Sequence, residues 1–121
     1  MKKRQWIAIF FAYLIASLVL AACGGGADYD IRGAWEYTML DTDGNVFDEG
    51  TISFSGGMTE GTYVEVNTYA IEYEGEYRVK GSSLSLTGYE TWRGTIEDAN
   101  TMSGAWEHDD GFSGTFTAAR R

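Results

Sequence analysis

Gly33-Ala34-Trp35-Glu36-Tyr37-Thr38-Met39-Leu40 alternates large apolar side chains with charged or hydroxylated ones. A period of two is that of an extended strand. It puts Trp35, Tyr37 and Met39, with Ile31 and Gly33 ahead of them, on one face, and Arg32, Glu36 and Thr38 on the other. One face is dry and the other wet.

Outward from that stretch the pattern recurs. Ile31 to Leu40, Val46 to Ser55, Gly61 to Asn67, Tyr69 to Glu74 running on into Glu76 to Lys80, Ser83 to Gly88, Thr91 to Glu97, Thr101 to Glu107 and Phe112 to Ala119 read as strands. Their spacing of about eleven residues suits a sandwich or barrel built from hairpins. Gly75 is either a bend within the fourth run or a turn dividing it. Proline is absent, and nothing from Ile31 onward carries a helical period. Asp43-Gly44 and Asp110-Gly111 supply the positive φ of tight hairpins, while Lys80-Gly81-Ser82 and Asp98-Ala99-Asn100 read as slightly longer connections. The predicted fold class is all-β: an antiparallel up-and-down meander of about eight strands closed into a small barrel, preceded by an N-terminal signal-peptide helix. Closure follows because a sheet with one dry face must hide both that face and its two edges.

Alternation sends Ile52, Phe54, Tyr69, Ile71, Tyr73, Tyr77 and Val79 inward. It does the same for Leu84, Leu86, Trp92, Ile96, Met102, Trp106, Phe112 and Phe116. Phe47, Tyr63 and Tyr89 fall on or near the outer face, although Val64 and Val66 compete with Tyr63 for the inside. Two repeats run through these strands. Gly50-Thr51-Ile52, Gly61-Thr62-Tyr63, Gly94-Thr95-Ile96 and Gly114-Thr115-Phe116 share a Gly-Thr-apolar frame, and Gly33-Ala34-Trp35-Glu36 returns as Gly104-Ala105-Trp106-Glu107. Glycine inside a strand marks a bend or the close approach of something bulky, here an aromatic ring from a neighbouring strand.

The chain begins with basic Lys2-Lys3-Arg4, an apolar run from Trp6 to Leu20 interrupted only by Ser17, and a small-residue exit at the single cysteine. These are the three zones of a signal peptide. The run is shorter than the ~20 residues that a spanning helix prefers, and it is followed by Gly24-Gly25-Gly26 rather than a basic flank. Leu20-Ala21-Ala22-Cys23 resembles the lipobox of bacterial lipoproteins. The resemblance implies that signal peptidase II recognises Leu20, Ala21 and Ala22, that the Cys23 thiol carries a diacylglyceryl group, and that the new amino terminus is acylated. Several acyl chains hold a protein at a membrane where one chain holds only marginally. The expected organisation is a signal peptide over 1–22, a lipidated cysteine and linker over 23–29, and a barrel domain over 30–121, outside the cytoplasm and tethered to the cell membrane or an outer membrane.

Removing 22 of the 121 residues leaves 99, enough for one domain with its own core. With Cys23 used as the anchor, no disulfide is available. Lys2, Lys3 and Arg4 depart with the leader and take the net charge from −9 to −12. Such a surface repels nucleic acid and anionic headgroups, which excludes both as ligands.

Gly33-x-Trp35 at the head of a meander of about eight strands resembles the lipocalin-like, calycin-type small barrels. The resemblance implies that the Trp35 indole plugs one end of the barrel and that a basic side chain from the far end of the chain, Arg120, lies across it. The chain is shorter than a lipocalin, lacks the Thr-Asp-Tyr loop motif and has no helix after the last strand. An eight-stranded barrel either encloses one small molecule or is filled by its own side chains, and the many inward aromatics favour filling. A pocket lined by Tyr37, Tyr73, Tyr77 and Trp92 is the candidate ligand site, apolar with hydroxyls to orient a guest.

No chemistry is predicted. Asp41-Thr42-Asp43-Gly44-Asn45 departs from an EF-hand in the place of its glycine and reads as a hairpin turn. His108 is the sole imidazole, so zinc has no ligand set, and Gly-x-Ser-x-Gly is absent. Glu72, Glu74 and Glu76 belong to the solvated outer face. The expectation is a monomeric, lipid-anchored barrel without metal or other cofactor that binds a small apolar molecule. The alternative is a solid-core structural or interaction module that meets an envelope protein and takes no small ligand. An enzyme is the third and weakest reading.

Overall fold

A computed structural model describes residues 26–121 of the chain. The signal peptide, Leu20-Ala21-Ala22 and the Cys23 anchor lie outside the described residues. Eight strands follow in order: β1 (Gly33–Asp41), β2 (Val46–Gly56), β3 (Glu60–Asn67), β4 (Glu72–Lys80), β5 (Ser83–Thr87), β6 (Thr91–Asp98), β7 (Thr101–Glu107) and β8 (Ser113–Arg120). Each pairs antiparallel with its neighbours in the chain, and β8 returns to β1, from Trp35 opposite Arg120 to Asp41 opposite Gly114. The sheet is therefore a closed up-and-down barrel with no free edge. Gly75 sits inside a continuous β4 and does not divide it.

The inner face carries Trp35, Tyr37, Met39, Ile52, Phe54, Tyr77, Val79, Leu84, Leu86, Trp92, Ile96, Met102, Trp106 and Phe116, all buried. All four Gly-Thr-apolar frames have one orientation: glycine and the apolar residue face in, and threonine faces out or lies half-buried at the surface. Inward glycine makes room for a ring. A Cβ on Gly75 would stand 2.6 Å from the Tyr63 ring, and one on Gly94 would stand 2.7 Å from Phe116. The narrow barrel thus seats its aromatics over the backbone of adjacent strands.

Four inside-outside expectations need correction. Tyr63 is buried, because β3 holds the same Gly-Thr-apolar frame as the other strands and turns Val64 and Val66 outward. Tyr69 and Ile71 are exposed, Tyr69 by 83 %. The third run ends at Asn67, whose Oδ1 accepts from the backbone N–H of Tyr69 and of Ile71 and folds the chain into a turn with Ala70 at φ 61°. Phe112 precedes β8 in the β7–β8 turn and is also exposed. The two aspartyl-glycine turns form as predicted, with Gly44 at φ 85° and Gly111 at φ 93°. Asp41 Oδ1 accepts from the N–H of Asp43 and of Asn45, so this acidic loop is held by its own backbone.

Candidate functional site

The two ends of the barrel differ in chemistry. At one end the lead-in from Gly26 to Arg32 crosses beneath the strands, with Ala27 bridged to Gly81 and Ile31 fully buried. Trp35 lies in the core there, its indole N–H donating to the Ile31 carbonyl at 2.8 Å. The Arg120 guanidinium stands 4.5 Å from the Trp35 ring centroid and donates to the carbonyl oxygens of Ala99, Arg32 and Asp30. Gly33 adopts φ 112°, a conformation that side chains rarely take, which lets the chain turn into β1 under that guanidinium. Tyr77 also belongs to this end. Its hydroxyl donates to the Gly57 carbonyl at 2.6 Å and its ring meets Phe54 edge-on at 5.3 Å. Tyr77 is therefore removed from the candidate pocket: it enters from the far half of β4, two inward positions beyond Tyr73.

The opposite end is framed by the β1–β2, β3–β4, β5–β6 and β7–β8 turns, and it is polar inside. Glu65 on β3 is wholly buried, and Glu90, just ahead of β6, is 3 % exposed. The Tyr37 hydroxyl lies 3.2 Å from Glu65 Oε2 and 3.4 Å from Asp48 Oδ2, so its one proton serves either carboxylate. Tyr37 meets Trp92 edge-on at 5.5 Å, and Trp92 lies against Phe116 at 4.8 Å. Tyr73 is half-buried and faces Glu65 across the β3–β4 pairing. Of the four residues proposed to line a pocket, the structure brings Tyr37 and Trp92 into contact and sets Tyr73 at the rim.

Four buried polar atoms at this end lack a well-formed hydrogen bond: the Tyr63 hydroxyl, Glu65 Oε1, Glu90 Oε2 and the Trp92 indole N–H, the last lying beside the Glu90 carboxyl, whose charged form it favours. Buried polar groups are almost always hydrogen-bonded, and each orphan costs about 1–3 kcal/mol. Burial and the neighbouring charge of Glu90 raise the Glu65 carboxyl to about 8. Burial and Asp48 push Glu90 upward as well, and the Tyr37 and Tyr63 phenols are driven above their ordinary range by burial and the carboxylates beside them. Carboxylate oxygens accept, the indole N–H donates, and the Tyr63 hydroxyl does either.

Aromatic side chains cover this end. Tyr73 stacks on Tyr89 at 4.7 Å, and Tyr89 leans on His108 at 4.5 Å. Phe47 stacks on Trp106 at 4.5 Å and approaches Phe112 at 6.1 Å. Trp106 itself is anchored, its N–H donating to Leu40 at 2.9 Å. Among the described residues, no group of three His, Cys, Asp or Glu converges as a metal site.

Glu65, Glu90 and Asp48 are not among the pocket residues that the sequence nominates, and Tyr63 figures there only as an aromatic on or near the outer face. The signal for two of them was present. Keeping Thr62 outward, as in the other three frames, turns Tyr63 inward and Glu65 with it by strict alternation. Glu90 follows a turn, where no alternation applies.

No family model matches the chain, and no curated protein matches it. Solved structures do. A redesigned beta barrel superposes with a TM-score of 0.62 at 18 % identity, covering 75 % of this chain and 91 % of its own. A redesigned barrel, mFAP0, bound to DFHBI gives 0.59 at 18 % identity, over 74 % of this chain and 98 % of its own. A de novo designed fluorescence-activating beta barrel gives 0.56 at 17 % identity, over 76 % and 94 %. At these identities the likeness is one of fold: a small eight-stranded antiparallel barrel of the lipocalin-like class.

Proposed function

We propose that this barrel is a binding protein for a small molecule, received at the end that holds Glu65, Glu90, Tyr63 and Trp92, and displayed outside the cytoplasm on a lipid anchor at Cys23. The anchor rests on the Leu20-Ala21-Ala22-Cys23 resemblance. The binding reading rests on one observation. One end of the barrel is stoppered with its polar groups satisfied, whereas the other buries four polar atoms without a well-formed hydrogen bond. An occupant that supplies those partners recovers the cost of leaving them bare. The designed barrel mFAP0, of the same fold, is bound to DFHBI, which makes such an occupant compatible with the architecture.

A solid-core envelope module is the second reading, favoured by Tyr37, Trp92 and Phe116, which fill the middle of the barrel by mutual contact. Thermal denaturation of residues 23–121 carrying Cys23→Ser, against a broad panel of small apolar and aromatic compounds, separates the two. A melting temperature that rises with concentration supports binding by mass action. A flat response across the panel supports the solid core.

A further inference from the structure

Resting on the reading of this end as a ligand site, we propose that its natural occupant is a small organic amine, whose ammonium group is received between Glu65 and Glu90 while its apolar body lies against the rim aromatics Tyr73 and Tyr89. Two of the four orphan atoms, Glu65 Oε1 and Glu90 Oε2, are carboxylate oxygens and can only accept while ionised. The Tyr63 hydroxyl supplies a third acceptor lone pair from the same region, set over Gly75 with its oxygen against Gly88. A primary ammonium carries three donors in one compact group. It matches those three acceptors in number and in sign, while the Trp92 N–H stays beside the Glu90 carboxyl, whose charged form it favours.

The walls match as well. The negative faces of Tyr and Trp rings attract a cation, most strongly where water is excluded, and Trp92 and Tyr63 are both buried. A neutral apolar guest would leave two carboxyls bare, and an anion would find no cationic side chain among Glu65, Glu90 and Asp48. A metal ion fits less well. Hard cations take six or more oxygens, whereas Asp48 and Glu65 already share the Tyr37 hydroxyl and no trio of metal-ligating side chains converges among the described residues. Without a cation beside it, Glu65 holds its proton near neutral pH. An arriving ammonium displaces that proton to solvent and takes its place beside the carboxylate, so binding releases H⁺. Tyr89, the residue before Glu90 in the chain, is exposed and stacks on Tyr73.

The test titrates residues 23–121 with Cys23→Ser, whose eight strands and described core all lie within the part tested, against tryptamine, tryptophol and indole-3-acetate. These share an indole and carry a cationic, neutral and anionic arm. The expected result is that tryptamine binds about tenfold or more tighter than tryptophol, the gain of one charge-assisted hydrogen bond. Indole-3-acetate is weakest, and the preference falls in Glu65→Gln and Glu90→Gln. Calorimetry in buffers of different ionisation enthalpy then reads proton release on tryptamine binding. Equal binding of tryptamine and tryptophol, unchanged by either substitution, overturns the amine proposal and leaves a ligand site standing. Failure of all three probes overturns the amine proposal too, and the broad melting panel then decides whether any site exists. The comparison of probes on the unsubstituted barrel holds even where a Gln variant folds poorly.

Discussion

The Arg120 guanidinium stacks 4.5 Å above the Trp35 ring, joining the end of the last strand to the start of the first. It also donates to three carbonyl oxygens in two segments: Ala99 in the β6–β7 turn, and Arg32 and Asp30 in the lead-in. One side chain thereby ties together the two strands whose pairing closes the barrel.

Arg120→Ala is expected to lower stability by about 2–4 kcal/mol, from a cation-π contact and charge-assisted hydrogen bonds lost together. Arg120→Lys should recover less than half, since an ammonium cannot reproduce a planar fork. Trp35→Ala should cost about 3–5 kcal/mol as a fully buried large-to-small change. Urea denaturation measures all three. A loss below about 1 kcal/mol for Trp35→Ala would place that indole outside the core.

Gly75 and Tyr63 give opposite predictions at one contact. Gly75→Ala drives a methyl into the Tyr63 ring and should destabilise by about 1–3 kcal/mol. Tyr63→Phe removes a hydroxyl that bonds to no other protein group, so it should be neutral or slightly stabilising. A clear loss on Tyr63→Phe, seen as a lowered denaturation midpoint, would mean that the hydroxyl has a partner.

Stability should fall as pH rises. Glu65 ionises near its ordinary value in the unfolded chain but only at about 8 in the fold, so across that window the native state binds the extra proton. Its contribution is full below the unfolded value and is lost as pH climbs through the folded one, by a few kcal/mol in all. Glu90 acts in the same direction. Asp48, Tyr37 and Glu90 face Glu65, and His108 faces Glu90. Glu65→Gln should flatten the slope between about pH 5 and 8. An unchanged slope in that variant would show that Glu65 ionises in the fold as it does in water.

For the anchor, Cys23→Ser is expected to abolish metabolic labelling with fatty acid and to release the protein from membranes. Labelling that persists in the variant refutes the lipobox assignment.

Much of this was legible in the sequence. Strand number, hairpin order and closure follow from alternation and turn chemistry, because both act locally: Gly44 and Gly111 take the positive φ that their turns require. The stopper was legible in the Gly33-x-Trp35 pattern and the basic residue near the end of the chain. The polar mouth was not. Charged side chains are almost always outside, so an alternating run such as Tyr63-Val64-Glu65-Val66 invites the valines in, and only the frame shared with other strands argues otherwise. Tyr69 and Ile71 misled in the reverse sense. Their apolar character suggests a strand, but Asn67 captures both of their backbone N–H groups and makes a turn.

The most direct test of the central claim lies in the indole N–H resonances of residues 23–121. Trp35 and Trp106 donate to Ile31 and Leu40, whereas the Trp92 N–H lies beside the Glu90 carboxyl without a well-formed bond. On adding a compound that raises the melting temperature, the Trp92 indole N–H should shift strongly and those of Trp35 and Trp106 should stay in place. A stabilising compound that moves Trp35 or surface residues while leaving Trp92 untouched contradicts the placement of the site.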